Sequence, residues 1–204
     1  MIPYENMKQA LKQIQIFEQA IPKKLCQTLI QAYEGDRRVA KDPQPHYSKR
    51  TYLKITEYEN EPRWKAPVQK LYNTVESVTS SYFMENSKYP EVTLDTWGDD
   101  GFLMSKYSKG DSLILHVDGQ TSCPPGNFYR LATLVMFLND VPEGGQLRFP
   151  YQGITIKPKT GRCVIFPPTH HFPHEVLPCT QNRYIVQTWI IDPRFKIIDS
   201  GYKV

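Results

Sequence analysis

Short apolar segments separated by turns constrain the fold of this chain more than any other feature of its sequence. From Val92 onward, segments rich in β-branched and aromatic residues alternate with turns rich in Gly, Pro, Asn and Asp; they read VTLDTW, FLMSKY, SLILHV, RLATLVMFL, GITIKP, RCVIF and RYIVQTWII. Such compositions are typical of β-strands. Many short strands in succession predict an all-β unit, which is a sandwich, a jelly roll or a barrel.

The first third of the chain predicts helices instead. In IPKKLCQTLIQAYEG, Pro22 suits a first helical turn, Gly35 suits a helix end, and Leu25 and Leu29 share one face. A second helix is predicted to begin near Pro67, because apolar residues recur at steps of three and four. These residues are Trp64, Val68, Leu71, Val75, Val78 and Tyr82.

The segment between these helices, residues 36–50, is polar and contains two prolines, which predicts a mobile surface loop. Helices packed outside a β core give an α+β fold. We therefore expect a single domain over residues 1–204. Within it, residues 1–90 would supply mainly helical support and a loop, and residues 91–204 would form the β core.

Composition narrows the functional classes. Hydrophobic residues make up 40% of the chain and charged residues 23%, as in ordinary globular proteins, and a net charge of +4 is too small to indicate nucleic-acid binding. No apolar run is long enough for a membrane span, and the first residues carry no secretory signal. The four cysteines are scattered, which favours a reduced, cytoplasmic protein over a disulfide framework.

A candidate metal site begins at the end of SLILHV. His116 and Asp118 are two residues apart, so on a strand their side chains point to the same face. An imidazole and a carboxylate that converge in this way form two-thirds of a facial triad for iron. An H-x-D pair alone occurs by chance in many chains, so the prediction depends on a third ligand elsewhere.

That third ligand is predicted in the segment PPTHHFPHEVLP. His174 opens the short strand HEVL, and Arg183 begins RYIVQTWII after an intervening turn. Arg183 is therefore predicted beside His174, where its planar guanidinium would suit bidentate recognition of a carboxylate. His170 and His171 are interpreted as solvated residues at the rim.

Four further segments accompany this pattern: KYSKG, which contains Tyr107, then FLND, then GGQLRFP, and PHEV followed by RY and TW. Together with H-x-D, the distal histidine and the arginine nine residues beyond it, they resemble the 2-oxoglutarate oxygenases. Within these, the chain resembles the prolyl 4-hydroxylases, most strongly the oxygen-sensing enzymes of the hypoxia response. The resemblance covers nearly the whole chain and implies a double-stranded β-helix, or jelly-roll, core.

The resemblance also implies the cofactors and their residues. Iron(II) would be bound by His116, Asp118 and His174. The co-substrate 2-oxoglutarate would be bound by Arg183, Tyr107, Thr133 and Trp189, although an aromatic residue such as Trp189 in a buried strand also suits a plain core role. Dioxygen would be the second co-substrate, with ascorbate as a supporting reductant.

One position departs from the family. Phe137 stands where these enzymes usually have tyrosine, whose hydroxyl supports the distal carboxylate of 2-oxoglutarate. Its absence removes one hydrogen bond, worth about 0.5–3 kcal/mol. We therefore expect Arg183 to carry more of the co-substrate affinity, with help from Thr133 or a water molecule.

The reaction implied is hydroxylation of a prolyl residue at C4 in a protein or peptide, with release of succinate and carbon dioxide. The segment 36–50 would cover the site, and Tyr47, Arg50 and Arg130 are candidate contacts. Alternatives are another protein side chain or a free amino acid as substrate. A nucleic-acid demethylase is disfavoured because Trp189 stands where those enzymes carry a further arginine, and a non-catalytic jelly-roll binding module is disfavoured by the complete triad.

Overall fold

The computed structural model of the chain describes residues 12–86, 97–119 and 128–196. The helices are α1 (Lys23–Glu34) and α2 (Pro62–Asn86), with a short 3-10 helix at Ile55–Tyr58. The strands are β1 (Gln15–Phe17), β2 (Ala40–Lys41), β3 (Thr51–Lys54), β4 (Gly98–Asp99), β5 (Leu103–Tyr107), β6 (Leu113–His116), β7 (Phe128–Phe137), β8 (Leu147–Phe149), β9 (Ile154–Ile156), β10 (Cys163–Phe166), β11 (His174–Val176) and β12 (Arg183–Lys196).

The strands form two antiparallel sheets that face each other. The larger sheet has the order β1-β10-β7-β12-β5-β3-β2, with β4 also paired to β12, and the smaller has the order β6-β11-β8-β9. The sheets enclose one apolar core, whose fully buried members include Phe149 and Phe166. A second core lies between the outer face of the larger sheet and the helices and includes Trp64 and Leu71. The α+β fold with a jelly-roll core is therefore confirmed.

Strand β12 shows how sequence alternation builds both cores. Its even-numbered residues Val186 and Ile190 pack toward the helices, whereas Ile185 packs between the sheets. Because successive side chains of a strand point to opposite faces, Arg183 and Gln187 also face the space between the sheets. The strand thus buries apolar residues on one face and lines a cavity with polar residues on the other.

Helix α2 begins at Pro62, five residues before the predicted start near Pro67. Pro62 occupies the first helical position, where proline is well tolerated because its missing N–H would be unpaired in any case. The first turn is also held by Trp64, which is fully buried against the core. Pro67 lies inside the helix, so this proline does not mark its beginning.

The loop 36–50 is more ordered than its polar composition predicts. It contains β2, which pairs with β3, and Asp36 at its start is buried. The predicted strand VTLDTW and the boundary between residues 90 and 91 lie almost wholly outside the described residues. No helix in the described ranges is both long and apolar enough to cross a membrane.

Asp36 anchors the start of this loop to α2. Its carboxylate accepts hydrogen bonds from Arg38 Nε at 2.8 Å and from Trp64 Nε1 at 3.0 Å, and its side chain is only 2% exposed. Hydrogen bonds from Arg38 hold the pKa of Asp36 below its ordinary value, against the opposing effect of burial. The carboxylate therefore joins a surface arginine to a buried tryptophan.

Asp36→Ala should lower the free energy of unfolding by about 2–3 kcal/mol, because it leaves the Trp64 N–H buried without an acceptor. Glu61→Ala is the matched control: it removes the other carboxylate on Arg38, but that side chain is 46% exposed, so its loss should lower the free energy of unfolding much less. Urea denaturation measures both. Since the pKa of Asp36 is lower in the folded state, its contribution to the free energy of unfolding is fully present at pH values above the ordinary carboxyl pKa. That contribution declines as pH falls below about 4. Equal losses in the two variants would contradict this role.

Candidate active site

Two strands of the smaller sheet and the segment after one of them bring three metal-binding side chains together. His116 on β6 is the direct antiparallel partner of His174 on β11, and Asp118 follows His116 by two residues. The ligand atoms of the three residues all lie within 4.8 Å of one another. His116 Nε2 is 3.5 Å from Asp118 Oδ1, and His174 Nε2 is 3.4 Å from Asp118 Oδ2.

Backbone carbonyls fix the orientation of both imidazoles. His116 Nδ1 donates to the carbonyl of Ile114 at 2.8 Å, and His174 Nδ1 donates to the carbonyl of Phe172 at 3.1 Å. A carbonyl only accepts hydrogen bonds, so each Nδ1 must carry a proton, and each Nε2 is directed at the common centre, where it can coordinate a metal once it carries no proton. Two imidazoles and one carboxylate on one face form the donor set typical of non-haem iron(II) sites.

Asp118 remains ionised in this environment. Burial alone would raise its pKa, but the side chains of His116 and His174 hold the pKa well below the ordinary value. Thr133 Oγ1 donates to Asp118 Oδ2 at 2.9 Å, and Arg130 donates to the Asp118 carbonyl at 3.0 Å. The carboxylate is thus charged and held in place before any metal binds.

Thr133→Val should weaken metal binding by roughly tenfold, because partners that orient a metal ligand are worth about 10–100-fold in affinity. The substitution keeps the shape of the side chain and removes the hydroxyl that holds Asp118. Thr160→Val is the control, since the Thr160 hydroxyl contacts Asp140, which is not a metal ligand. Calorimetric titration with Mn²⁺ measures both variants, and an unchanged affinity in Thr133→Val would show that the hydroxyl does not position Asp118.

Arg183 lies deeper between the sheets. It begins β12 directly opposite Tyr107 on β5, and it is completely buried. The Cζ atom of Arg183 is 4.8 Å from the Tyr107 ring centre and 5.1 Å from that of Phe137. Within the described residues, Nε and Nη1 of Arg183 have no hydrogen-bond partner. Two unpaired N–H groups on a buried guanidinium fit a carboxylate, which is what a 2-oxoglutarate site requires.

A cavity of about 470 Å³ connects the metal-binding residues to Arg183. Its walls include all the residues predicted to bind metal or co-substrate, and also the predicted contacts from the 36–50 loop. The predicted residues in the wall are His116, Asp118, His174, Arg183, Tyr107, Thr133, Trp189, Tyr47, Arg50 and Arg130. The residues named from the sequence therefore lie around one continuous cavity, and their individual co-substrate roles remain predictions.

The structure shows a further contact for two of these residues. The hydroxyl of Thr133 donates to the metal ligand Asp118. The Trp189 ring, half-buried, lies under the Arg130 guanidinium at 3.9 Å. Sequence reasoning also missed Gln187, a cavity-lining residue whose only signal was its even spacing from Arg183 along β12.

Comparison with protein families decides the class of this site. A family model described as the 2OG-Fe(II) oxygenase superfamily matches residues 102–191, which contain the His-Asp-His cluster and Arg183. This part of the chain is a 2OG-Fe(II) oxygenase domain. Its cofactor is Fe²⁺ and its co-substrate is 2-oxoglutarate, in agreement with the triad and with the two Arg183 N–H groups that have no partner in the described residues. Comparison with curated proteins gave no match.

Solved structures similar to the oxygenase extend the likeness beyond the matched residues. A prolyl hydroxylase from Trichoplax adhaerens, in complex with a hypoxia inducible factor oxygen degradation domain peptide fragment, is 18% identical and aligns with a TM-score of 0.70 over 97% of this chain and 95% of its own. Viral collagen prolyl hydroxylase from Paramecium Bursaria Chlorella virus-1, in a 2OG complex, is 21% identical and aligns with a TM-score of 0.63 over 88% of this chain and 95% of its own. A Pseudomonas putida prolyl-4-hydroxylase is 18% identical and aligns with a TM-score of 0.61 over 88% of this chain and 92% of its own. At these identities the likeness shows a shared fold.

Proposed function

We propose that the oxygenase hydroxylates C4 of a prolyl residue in a peptide or protein. The observation that carries the proposal is the fold likeness to three prolyl hydroxylases over 88–97% of the chain, which includes segments outside the matched family domain. One of these was solved with a peptide fragment. The proposal extends prolyl hydroxylation of a peptide to this chain.

The mouth of the cavity supports a peptide as substrate. A second cleft, of about 450 Å³, adjoins the cavity and shares Val117, Gly119 and Arg130 with it. Its other walls include Tyr129 and Pro168. A mixed apolar and polar cleft that continues from the metal-binding residues suits the residues flanking a target proline. A free amino acid would fill only the cavity and leave this cleft without a ligand.

The residues of the oxygenase have distinct tasks in this reaction. When bound, iron and 2-oxoglutarate would supply the oxidising chemistry together with dioxygen: one oxygen atom of O2 enters the succinate that forms from 2-oxoglutarate with loss of carbon dioxide, and the other enters a C–H bond of the substrate. His116, Asp118 and His174 would hold the metal from one side. Arg183 fixes the co-substrate from the buried end of the cavity. The rim residues Tyr47 and Trp189 exclude water and offer aromatic surface to a pyrrolidine ring.

The experiment uses the full chain with Fe²⁺, 2-oxoglutarate, ascorbate and a panel of proline-containing peptides. Mass spectrometry should find one added oxygen atom on proline, and a peptide with deuterium at both C4 positions should lose one deuterium. Matched peptides with alanine in place of proline, and the variant His174→Gln, should give no product. Succinate formation with no oxidised peptide would show an active oxygenase with another substrate, whereas oxidation of a different side chain or of a free amino acid would replace the proposal. The cytoplasmic location remains a prediction.

A further inference from the structure

Arg50 brings a second guanidinium into the co-substrate cavity. It lies one residue before β3, and because Thr51 pairs with Lys106, Arg50 stands opposite Tyr107 on the inner face of the sheet. Arg50, Tyr107 and Arg183 therefore form a row across three neighbouring strands, β3, β5 and β12. The side chain of Arg50 is only 13% exposed.

The contacts of Arg50 define its orientation. Its Nε donates to Asp42 Oδ2 at 3.0 Å, and its Nη1 donates to the Tyr107 hydroxyl at 3.4 Å and to Gln187 Oε1 at 3.3 Å. Asp42 is itself buried to 9% side-chain exposure, and its N–H donates to the Arg50 carbonyl. The two ends of the 42–50 segment are thus bonded to each other, and Arg50 forms part of the cavity wall.

These contacts determine what the two neighbours offer to the cavity. Arginine only donates hydrogen bonds, so the oxygen atoms of Tyr107 and Gln187 act as acceptors toward it. The O–H of Tyr107 and the NH₂ group of Gln187 must then point elsewhere, and in the described part of the chain neither has a hydrogen-bond acceptor. Both residues line the cavity that Arg183 also lines, and the Nε and Nη1 of Arg183 have no hydrogen-bond partner among the described residues. One wall of the cavity therefore consists of donors.

A cavity wall made of hydrogen-bond donors favours a ligand with several hydrogen-bond acceptors. At neutral pH, 2-oxoglutarate has two carboxylates and a keto oxygen and offers no donor. We propose that Arg50 is a positioning residue for this co-substrate, which orients the Tyr107 hydroxyl and the Gln187 amide as donors toward 2-oxoglutarate. The inference depends on the oxygenase domain and holds whatever the target of hydroxylation is.

Charge supports the same assignment. Burial lowers the pKa of Arg183, and the positive charge of Arg50 acts in the same direction. Asp42 accepts from the Nε of Arg50, and the Nη1 of Arg50 donates to Tyr107 and Gln187, so its charge lies beside the two residues that face the co-substrate. An anionic ligand between the two guanidiniums reduces their repulsion, whereas a neutral ligand does not.

The test measures binding of 2-oxoglutarate to the Mn²⁺-loaded protein by calorimetry, without peptide or turnover. Arg50→Met should weaken 2-oxoglutarate binding by roughly tenfold, the loss expected for hydrogen bonds that involve charged groups. Mn²⁺ affinity should stay near the wild-type value, whereas thermal stability without ligand should fall, because the buried Asp42 carboxylate loses its cation. Arg50→Lys, which keeps a cationic donor, should recover part of the loss. Arg162→Met is the matched control, because that arginine is similarly covered at 16% exposure and paired with Glu18 but lies outside the cavity wall.

A double-mutant cycle separates positioning from a general structural role. If Arg50 acts through Tyr107, the losses of Arg50→Met and Tyr107→Phe should be clearly less than additive in the double variant. A purely structural Arg50 would give additive losses of 2-oxoglutarate affinity in the double variant. The proposal is overturned by 2-oxoglutarate affinity within twofold of wild type in Arg50→Met, by additive losses in the cycle, or by a defect confined to peptide binding.

Discussion

His174→Ala should abolish turnover of 2-oxoglutarate and reduce Mn²⁺ affinity by more than the roughly 10–100-fold expected for a residue that only orients a ligand. His174 supplies one of three converging ligand atoms, and its Nδ1 is committed to the Phe172 carbonyl, so only Nε2 faces the metal position. Neither of the other two ligands can replace it, because His116 and Asp118 are fixed by their own backbone and side-chain contacts. His116→Ala should show the same two losses.

A control is needed because His174 also belongs to the core. Its ring packs 4.7 Å from that of Phe166 and 5.6 Å from that of Phe149, so alanine leaves a cavity. His174→Gln keeps most of the volume and should lose metal binding with a smaller loss of stability. His171→Ala, at an exposed histidine three residues away, should change neither property. Wild-type metal affinity in His174→Gln or His116→Ala, together with a folded circular dichroism spectrum, would mean that the ligands are misassigned.

The sequence predicted the metal site well because its geometry is local. Strand periodicity predicts one face for His116 and Asp118, although Asp118 lies two residues beyond the end of β6, and a single antiparallel pairing brings His174 opposite His116. Arg183 was also predictable, since it begins the strand that follows His174 and its planar charged group suits a carboxylate. These features need only the period of a strand and one register.

Contacts that do not follow from the alternation of side chains along one strand are harder to predict from the sequence. The contact of Arg50 with Tyr107 and Gln187 depends on the pairing of β3 with β5, and nothing in the polar segment 36–50 specifies that register. Asp42 was not singled out for the same reason. The start of α2 was placed too late because Pro67 was read as a boundary, although buried contacts of Trp64 hold the preceding turn in the helix. The contacts of Arg50 and Asp42 and the start of α2 all depend on tertiary packing, which the local sequence does not specify.

Arg183→Ala should raise the apparent KM for 2-oxoglutarate by about two orders of magnitude or more, since a buried carboxylate that loses its cation is penalised by about 3–5 kcal/mol. Arg50 remains nearby but is committed to Asp42, Tyr107 and Gln187, so it should not substitute. Arg183→Lys keeps the charge and loses the planar fork, and its defect should be milder. Metal affinity should be unchanged in both.

The measurement varies 2-oxoglutarate at saturating iron and substrate and follows succinate, with Mn²⁺ calorimetry alongside. Arg148→Ala is the control, because Arg148 is an arginine of the smaller sheet that pairs with Glu175 and does not line the cavity. An unchanged KM in Arg183→Ala would show that the co-substrate carboxylate binds elsewhere. A loss of metal affinity equal to the loss of 2-oxoglutarate affinity would indicate collapse of the site instead of a missing anchor.

Phe137→Tyr is the complementary change, and it should tighten 2-oxoglutarate by roughly two- to tenfold, the worth of one added hydrogen bond. The Phe137 ring is fully buried and lies 5.1 Å from the Arg183 guanidinium, whose Nε and Nη1 lack partners in the described residues. A hydroxyl on this ring would accept from Arg183 and donate to the carboxylate that Arg183 binds. The gain should therefore disappear in the Arg183→Ala background, because both effects act on the same carboxylate. An affinity unchanged by Phe137→Tyr would contradict only the inferred effect of the missing hydroxyl, and a gain that persists without Arg183 would place the hydroxyl at a different part of the co-substrate.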